Sequence, residues 1–121
     1  MKRRILVVED QEDNRRIMRD LLTNAEFEVI EAVDGLKGLS AASQERPDLI
    51  IMDIQLPGLD GLEVTRRIKA DPEISHIPII VVTSFAMSGD NQKALEAGSD
   101  AYFSKPVSPR GLLAKIREYL P

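Results

Sequence analysis

A chain of 121 residues has room for one compact domain with a real core and none for a second. With a net charge of −4, three Phe, two Tyr and no Trp, it lacks both the basic face and the stacking rings of a nucleic-acid binder. It has no cysteine, which excludes disulfides, zinc ribbons and thiol chemistry, and no run approaches the ~20 apolar residues of a membrane span.

The apolar run after Met1-Lys2-Arg3-Arg4 is too short for a signal peptide, so a cytoplasmic location is expected. That run, Arg4–Val8, reads as a buried strand and stops at Glu9-Asp10. A helix is predicted from about Asp13 to Ala25, with Ile17, Met18, Leu21, Leu22 and Ala25 as its apolar stripe. Arg15, Arg16 and Arg19 then form a solvated face pairing with Glu12 and Asp20. A second strand, Glu28–Glu31, leads through Asp34-Gly35 into a helix carrying Leu36, Leu39 and Ala42, which ends before Pro47. The third strand, Asp48–Asp53, is wholly apolar from Leu49 to Met52 and closes on a single acid. A helix over Asp60–Ala70 puts Val64 and Ile68 inward and Arg66, Arg67 and Lys69 outward, and His76 falls in the loop beyond it. Strand four, Pro78–Thr83, ends in the hydroxyl pair Thr83-Ser84. The next helix, Ser88–Ala97, has only Ala94, Leu95 and Ala97 as anchors and closes on Gly98, a pattern that fits equally an element able to move and a short, solvated connecting helix. Strand five, Ala101–Ser104, runs into Lys105-Pro106, and a last helix over Ser108–Leu120 starts with Pro109 and turns Leu112, Leu113, Ile116 and Leu120 inward.

Five strand–helix units predict an α/β fold: a flavodoxin-like three-layer α/β/α sandwich with a parallel five-stranded sheet in the order 2-1-3-4-5. Ligands of such sheets sit beyond the strand C-termini at the switch point, here between strands 1 and 3. Those two strands deliver Glu9, Asp10 and Asp53. Like charges ~4 Å apart cost on the order of 1 kcal/mol per pair in water and ~4 at an effective dielectric of 20, so the cluster calls for a cation. An acidic loop repels a pre-formed anion, whereas Mg²⁺ takes one or two carboxylates and keeps several waters. Thr83 and Lys105 arrive at the same edge, and with Mg²⁺ they could each meet an oxygen of a phosphoryl group. Asp53 is then the nucleophile, attacking phosphorus to give an acyl phosphate. Pro106 can hold a cis bond that fixes the turn after Lys105.

Glu9-Asp10, Asp53-Ile54-Gln55-Leu56-Pro57 with Gly61, Thr83-Ser84 and Lys105-Pro106 resemble the response-regulator receiver domain of two-component signalling, the CheY-like superfamily. The resemblance covers the whole chain in order and spacing. It implies one receiver domain over residues 1–121 with no output domain, and Asp53 as phosphoacceptor. It further implies that Asp10 and Asp53 bind Mg²⁺ directly, Glu9 through water and Gln55 through its backbone carbonyl. Thr83 matches the switch hydroxyl, Lys105 the lysine of the site and Tyr102 the switch aromatic. Strand alternation pairs Tyr102 with Ser104 and leaves Phe103 to the core. Glu9 stands where an Asp is frequent in the family, which shifts the water-mediated geometry. Thr83-Ser84-Phe85-Ala86-Met87 followed by Gly89-Asp90 is similar to stand-alone DivK-like regulators of cell division and polarity.

The partners so implied are a sensor histidine kinase or histidine phosphotransfer protein and a downstream protein reader, with neither nucleic acid nor membrane, and a monomer or weak dimer. Helix 1 with its arginines would receive the phosphodonor, and Phe85 and Met87 would touch a partner or pack the loop. Such a protein catalyses only its own phosphorylation and dephosphorylation. Two rival readings remain open. A haloacid-dehalogenase-type phosphotransferase wants a second acid two residues after the nucleophile, where this chain has Gln55. A flavin or nucleotide binder on the same fold would meet an acidic first loop.

Overall fold

The computed structural model describes residues 2–83 and 90–121. Ser84, the Phe85 and Met87 contacts and the expected helix start at Ser88 lie outside the described residues. The elements run β1 (Arg4–Val8), α1 (Glu12–Asn24), β2 (Glu28–Ala32), α2 (Gly35–Glu45), β3 (Leu49–Asp53), α3 (Gly61–Ala70), β4 (Ile79–Thr83), α4 (Asp90–Glu96), β5 (Ala101–Ser104) and α5 (Pro109–Tyr119). All pairings are parallel and the sheet order is β2-β1-β3-β4-β5, the order expected.

Register brings the chemistry to one edge. Val8 pairs with Met52, so Glu9 and Asp53 follow side by side; Asp53 pairs with Val82 and Thr83 with Ser104, which puts Lys105 just beyond. β3 and β4 are buried at every position because helices cover both faces. Alternate residues feed two cores. Leu6, Ile50, Met52, Ile79 and Val81 face the α2–α3–α4 side, and Ile5, Leu49, Ile51, Ile80 and Val82 face α1 and α5. Asp34, Asp60 and Ser108 accept backbone N–H bonds from Lys37, Glu63 and Gly111, capping α2, α3 and α5 with about 1 kcal/mol each. Gly98 takes a left-handed φ of 101°, as a helix-terminating glycine does.

Four expectations fail, each for a packing reason. Ile17 is 65% exposed. The inner face of α1 centres on buried Leu22, with Met18, Leu21 and Ala25 flanking it, and Ile17 lies about 140° around the helix from that centre. Leu36 is 64% exposed because α2 approaches β1 on its small residues, with Gly38 directly over the Val8 side chain. Leu95 is 58% exposed, leaving Ala94 and Ala97 as the buried apolar residues of the α4 segment. Lys69 turns inward instead of outward. Its stem lies against Gly98, and its ammonium donates to the carbonyls of Ser75 (3.1 Å) and Ile77 (2.8 Å) and to Asp100 (3.1 Å).

The arginine face of α1 also pairs differently. Arg19 forks onto Glu31 of β2 at 2.8 and 2.9 Å, Arg15 reaches the same carboxylate at 3.5 Å, and Arg16 pairs with Asp13 at 3.3 Å. Glu31 projects from the sheet edge beside the helix, a neighbour that helical spacing does not reveal. His76 is exposed in the loop before β4, as expected.

Candidate functional site

Asp53 closes a strand buried throughout and is itself only 6% exposed. Its Oδ1 accepts the Gln55 backbone N–H at 3.2 Å. The chain then folds so tightly that a side chain at Gly61 would run into the Asp53 carbonyl, and the Gly61 N–H donates to Ile54 O at 2.9 Å. Only glycine lets α3 start this close behind the acid. On β1 the ladder continues one residue past Val8, the Glu9 N–H donating to Ala32 O at 3.0 Å, before the chain turns into α1. Glu9 is 5% exposed and Asp10 half-buried. Glu9, Asp10 and Asp53 each offer a carboxylate oxygen, and the three oxygens lie within 4.8 Å of one another. The predicted acidic notch therefore exists.

Lys105 crosses it from the opposite side. Its N–H donates to Thr83 O at 2.7 Å, and the following Pro106 is joined through the cis bond that the sequence suggested. The ammonium lies 2.5 Å from Glu9 Oε1 and 3.6 Å from Asp53 Oδ2. Glu9 Oε2 in turn accepts the Gln11 N–H at 3.1 Å. Burial raises the Glu9 carboxyl, but the Lys105 hydrogen bond and charge and the Gln11 N–H outweigh it and hold the group below its ordinary value. Asp53 gets the reverse treatment. Burial first, and then the Glu9 charge, push its carboxyl up to about 6 against the pull of Lys105. One ammonium facing three carboxylates leaves the notch short of positive charge.

An all-oxygen, acid-rich donor set open on one side fits a hard divalent cation of the Mg²⁺ kind. Thr83 is buried at the end of β4, one residue past Asp53 in register. Tyr102 is half-buried against the α2–α3–α4 core and Phe103 packs on the α1–α5 core, the division that alternation predicted. The Gln55 side chain is exposed, so only its backbone enters the site.

Sequence reasoning missed two features. Arg15 donates from Nη1 to the carbonyls of both Glu9 (2.9 Å) and Asp10 (3.1 Å). A cavity of about 460 Å³ opens beside the notch, running from Asp53 and Lys105 past Val107 and Pro109 to exposed Ile17. Arginine in the first helical turn after an acidic loop was the available signal for the first. The cavity depends on α1 meeting α5, a contact between distant parts of the chain.

A parallel sheet in the order β2-β1-β3-β4-β5, with these acids, a threonine and a lysine gathered at its C-terminal edge, is a flavodoxin-like α/β domain with its site at the switch point. Residues 5–117 match the response regulator receiver domain, and the chain belongs to that family. It is 46% identical to the polar-differentiation response regulator DivK of Brucella anthropi over 120 residues, covering 99% of this chain and 98% of that one. The corresponding protein of Brucella melitensis is 45% identical over the same span. Among solved structures, a putative response regulator from Chloroflexus aurantiacus superposes with a TM-score of 0.94 at 28% identity, covering 99% of this chain and 98% of that one. The receiver domain of a sensor histidine kinase from Pseudomonas aeruginosa, solved with a magnesium ion in its active-site cleft, gives 0.91 at 33% identity and covers 98% of both chains.

Proposed function

We infer that this protein is a switch of the DivK-like kind, phosphorylated on Asp53 by a histidine-bound phosphoryl group and read by a partner protein. The observation that carries the reading is the convergence of three carboxylates within 4.8 Å, with the Lys105 ammonium 3.6 Å from Asp53. Asp10, Asp53, Glu9 and the Gln55 carbonyl would hold Mg²⁺, which when bound supplies the positive charge that lets an anionic nucleophile approach an anionic phosphoryl group.

The chain's own groups do the rest. An Asp53 carboxylate oxygen forms a bond to phosphorus as the phosphorus–nitrogen bond of the phosphohistidine breaks; the electron pair leaves with the imidazole, which takes a proton from solvent. Lys105 exchanges its hold on Glu9 for a phosphoryl oxygen, and the Thr83 hydroxyl donates to another. The product carries about one extra negative charge and three acceptor oxygens, enough to draw Thr83 inward.

Tyr102 follows into the space that opens, re-cutting the surface of α4, β5 and α5. Small buried anchors on α4 suit an element with two arrangements a few kcal/mol apart. The donor is a sensor histidine kinase or a histidine phosphotransfer protein, the reader is a protein controlling polarity or division, and the setting is the cytoplasm. No diffusible substrate is turned over.

Incubation with acetyl phosphate tests the reading. Intact mass should rise by one phosphoryl group with Mg²⁺ present and not after chelation. Thr83→Ala should still take the group but lose the difference in partner affinity between the two states. Uptake that ignores Mg²⁺ contradicts the site, and a Thr83→Ala variant that still discriminates contradicts the switch.

A further inference from the structure

We propose that Arg15 is a positioning residue for the acidic loop, holding the Glu9 and Asp10 carbonyls so that both carboxylates meet Asp53 at the cation site. The inference rests on the metal-dependent reading above. In an extended chain, successive side chains and successive carbonyls point to opposite sides. Glu9 and Asp10 are adjacent, yet their carboxylates share one notch with Asp53 and their carbonyls share one donor, Arg15 Nη1, at 2.9 and 3.1 Å. The backbone must therefore leave the strand between them, and the guanidinium sits at that turn.

Arg15 is held from behind as well as from in front. Its Nε lies 3.5 Å from Glu31, a carboxylate already fixed by the Arg19 fork, and its side chain is only 14% exposed. Glu31 also offsets the Arg15 charge, so the guanidinium shapes the loop without strongly repelling a cation nearby. Other restraints on the loop are few. Among the described residues, the Gln11 side chain makes no cap bond at the start of α1, and the other bonds to the loop backbone are the Glu9 N–H on the Ala32 carbonyl, the Gln11 N–H on the Glu9 carboxylate and the Arg15 N–H on the Gln11 carbonyl. Groups that orient metal ligands without touching the ion typically change its affinity 10- to 100-fold when removed.

Calorimetric titration of the full chain with Mg²⁺ tests the proposal on wild type, Arg15→Met, Arg15→Lys and Arg19→Met. Arg15→Met should weaken Mg²⁺ binding about tenfold, and Arg15→Lys, whose single ammonium can still donate to a carbonyl, should recover part of the loss. Arg19→Met removes the closer pairing to the same Glu31 and should leave Mg²⁺ affinity within about twofold, as expected of a surface ion pair. Wild-type affinity in Arg15→Met, or an equal loss in Arg19→Met, overturns the assignment. Acetyl phosphate labelling in parallel separates the two claims. Wild type that binds Mg²⁺ but takes no phosphoryl group sinks the functional reading alone. Normal labelling with Mg²⁺ affinity unmoved in Arg15→Met sinks the role of Arg15 alone.

Discussion

Lys105 lies closer to Glu9 than to Asp53, 2.5 Å against 3.6 Å, and so divides its charge unequally between two carboxylates. The acid it favours is held below its ordinary value and the other is pushed up to about 6. Glu9 is thus the ionised partner of the lysine, and its charge adds to burial in raising the Asp53 carboxyl when no cation is bound. Replacing Glu9 should release both effects. In Glu9→Gln without Mg²⁺, the Asp53 carboxyl should titrate below 6, towards its ordinary 3.8, because the Glu9 charge is gone and Lys105 is free to move to it. Carboxyl-carbon NMR against pH reads the shift directly, and an unchanged or higher midpoint contradicts this division of charge.

Stability should depend on pH through the same residue. A carboxyl whose folded value is raised holds its proton more tightly in the folded state, so the stability it contributes is complete below 3.8 and is lost as pH rises through 6. That interval corresponds to up to about 3 kcal/mol. Glu9 runs the other way, its contribution being present above 4.5 and lost on acidification through its lowered folded value. Asp53→Asn should therefore raise Tm in metal-free buffer at pH 7.5 by about 5 °C or more, with a smaller gain at pH 5. A variant less stable than wild type at pH 7.5 contradicts the assignment of Asp53 as a carboxylate held at a cost.

At the far edge of the sheet, the Lys69 ammonium ties the end of α3 to the loop before β4 and to Asp100, whose carboxylate also accepts the Ile79 N–H at 2.8 Å. Lys69→Met keeps most of the stem over Gly98 but leaves two carbonyls and a carboxylate short of a donor. The expected loss is about 2 kcal/mol, measured by urea unfolding, from charge-assisted bonds in a partly buried setting. A loss under about 0.5 kcal/mol would show the lysine to be an ordinary surface residue.

The strands and their order were readable because each is a short apolar run ending in a polar residue, and a parallel sheet buries such runs whole. The site was readable for the same reason, since residues that end parallel strands share one edge whatever the helices do. Helix faces were less so. Ile17, Leu36 and Leu95 have the hydrophobicity of core residues, but exposure depends on which side meets the sheet, and that was set by Leu22, Gly38 and Ala94. Lys69 and Arg15 escaped because their acceptors are backbone carbonyls, which carry no signature in the residue type. The family resemblance supplied roles for Thr83 and Tyr102 that spacing alone does not contain.

Chemical mapping of the phosphorylated residue tests the account most directly. Borohydride reduces an acyl phosphate on aspartate to homoserine, leaving a permanent mark that peptide mass spectrometry can locate. After treatment with acetyl phosphate and Mg²⁺, homoserine is expected at position 53 and nowhere else. A mark at Asp10, or a phosphoryl group that survives reduction on a hydroxyl residue, contradicts Asp53 as the reactive centre.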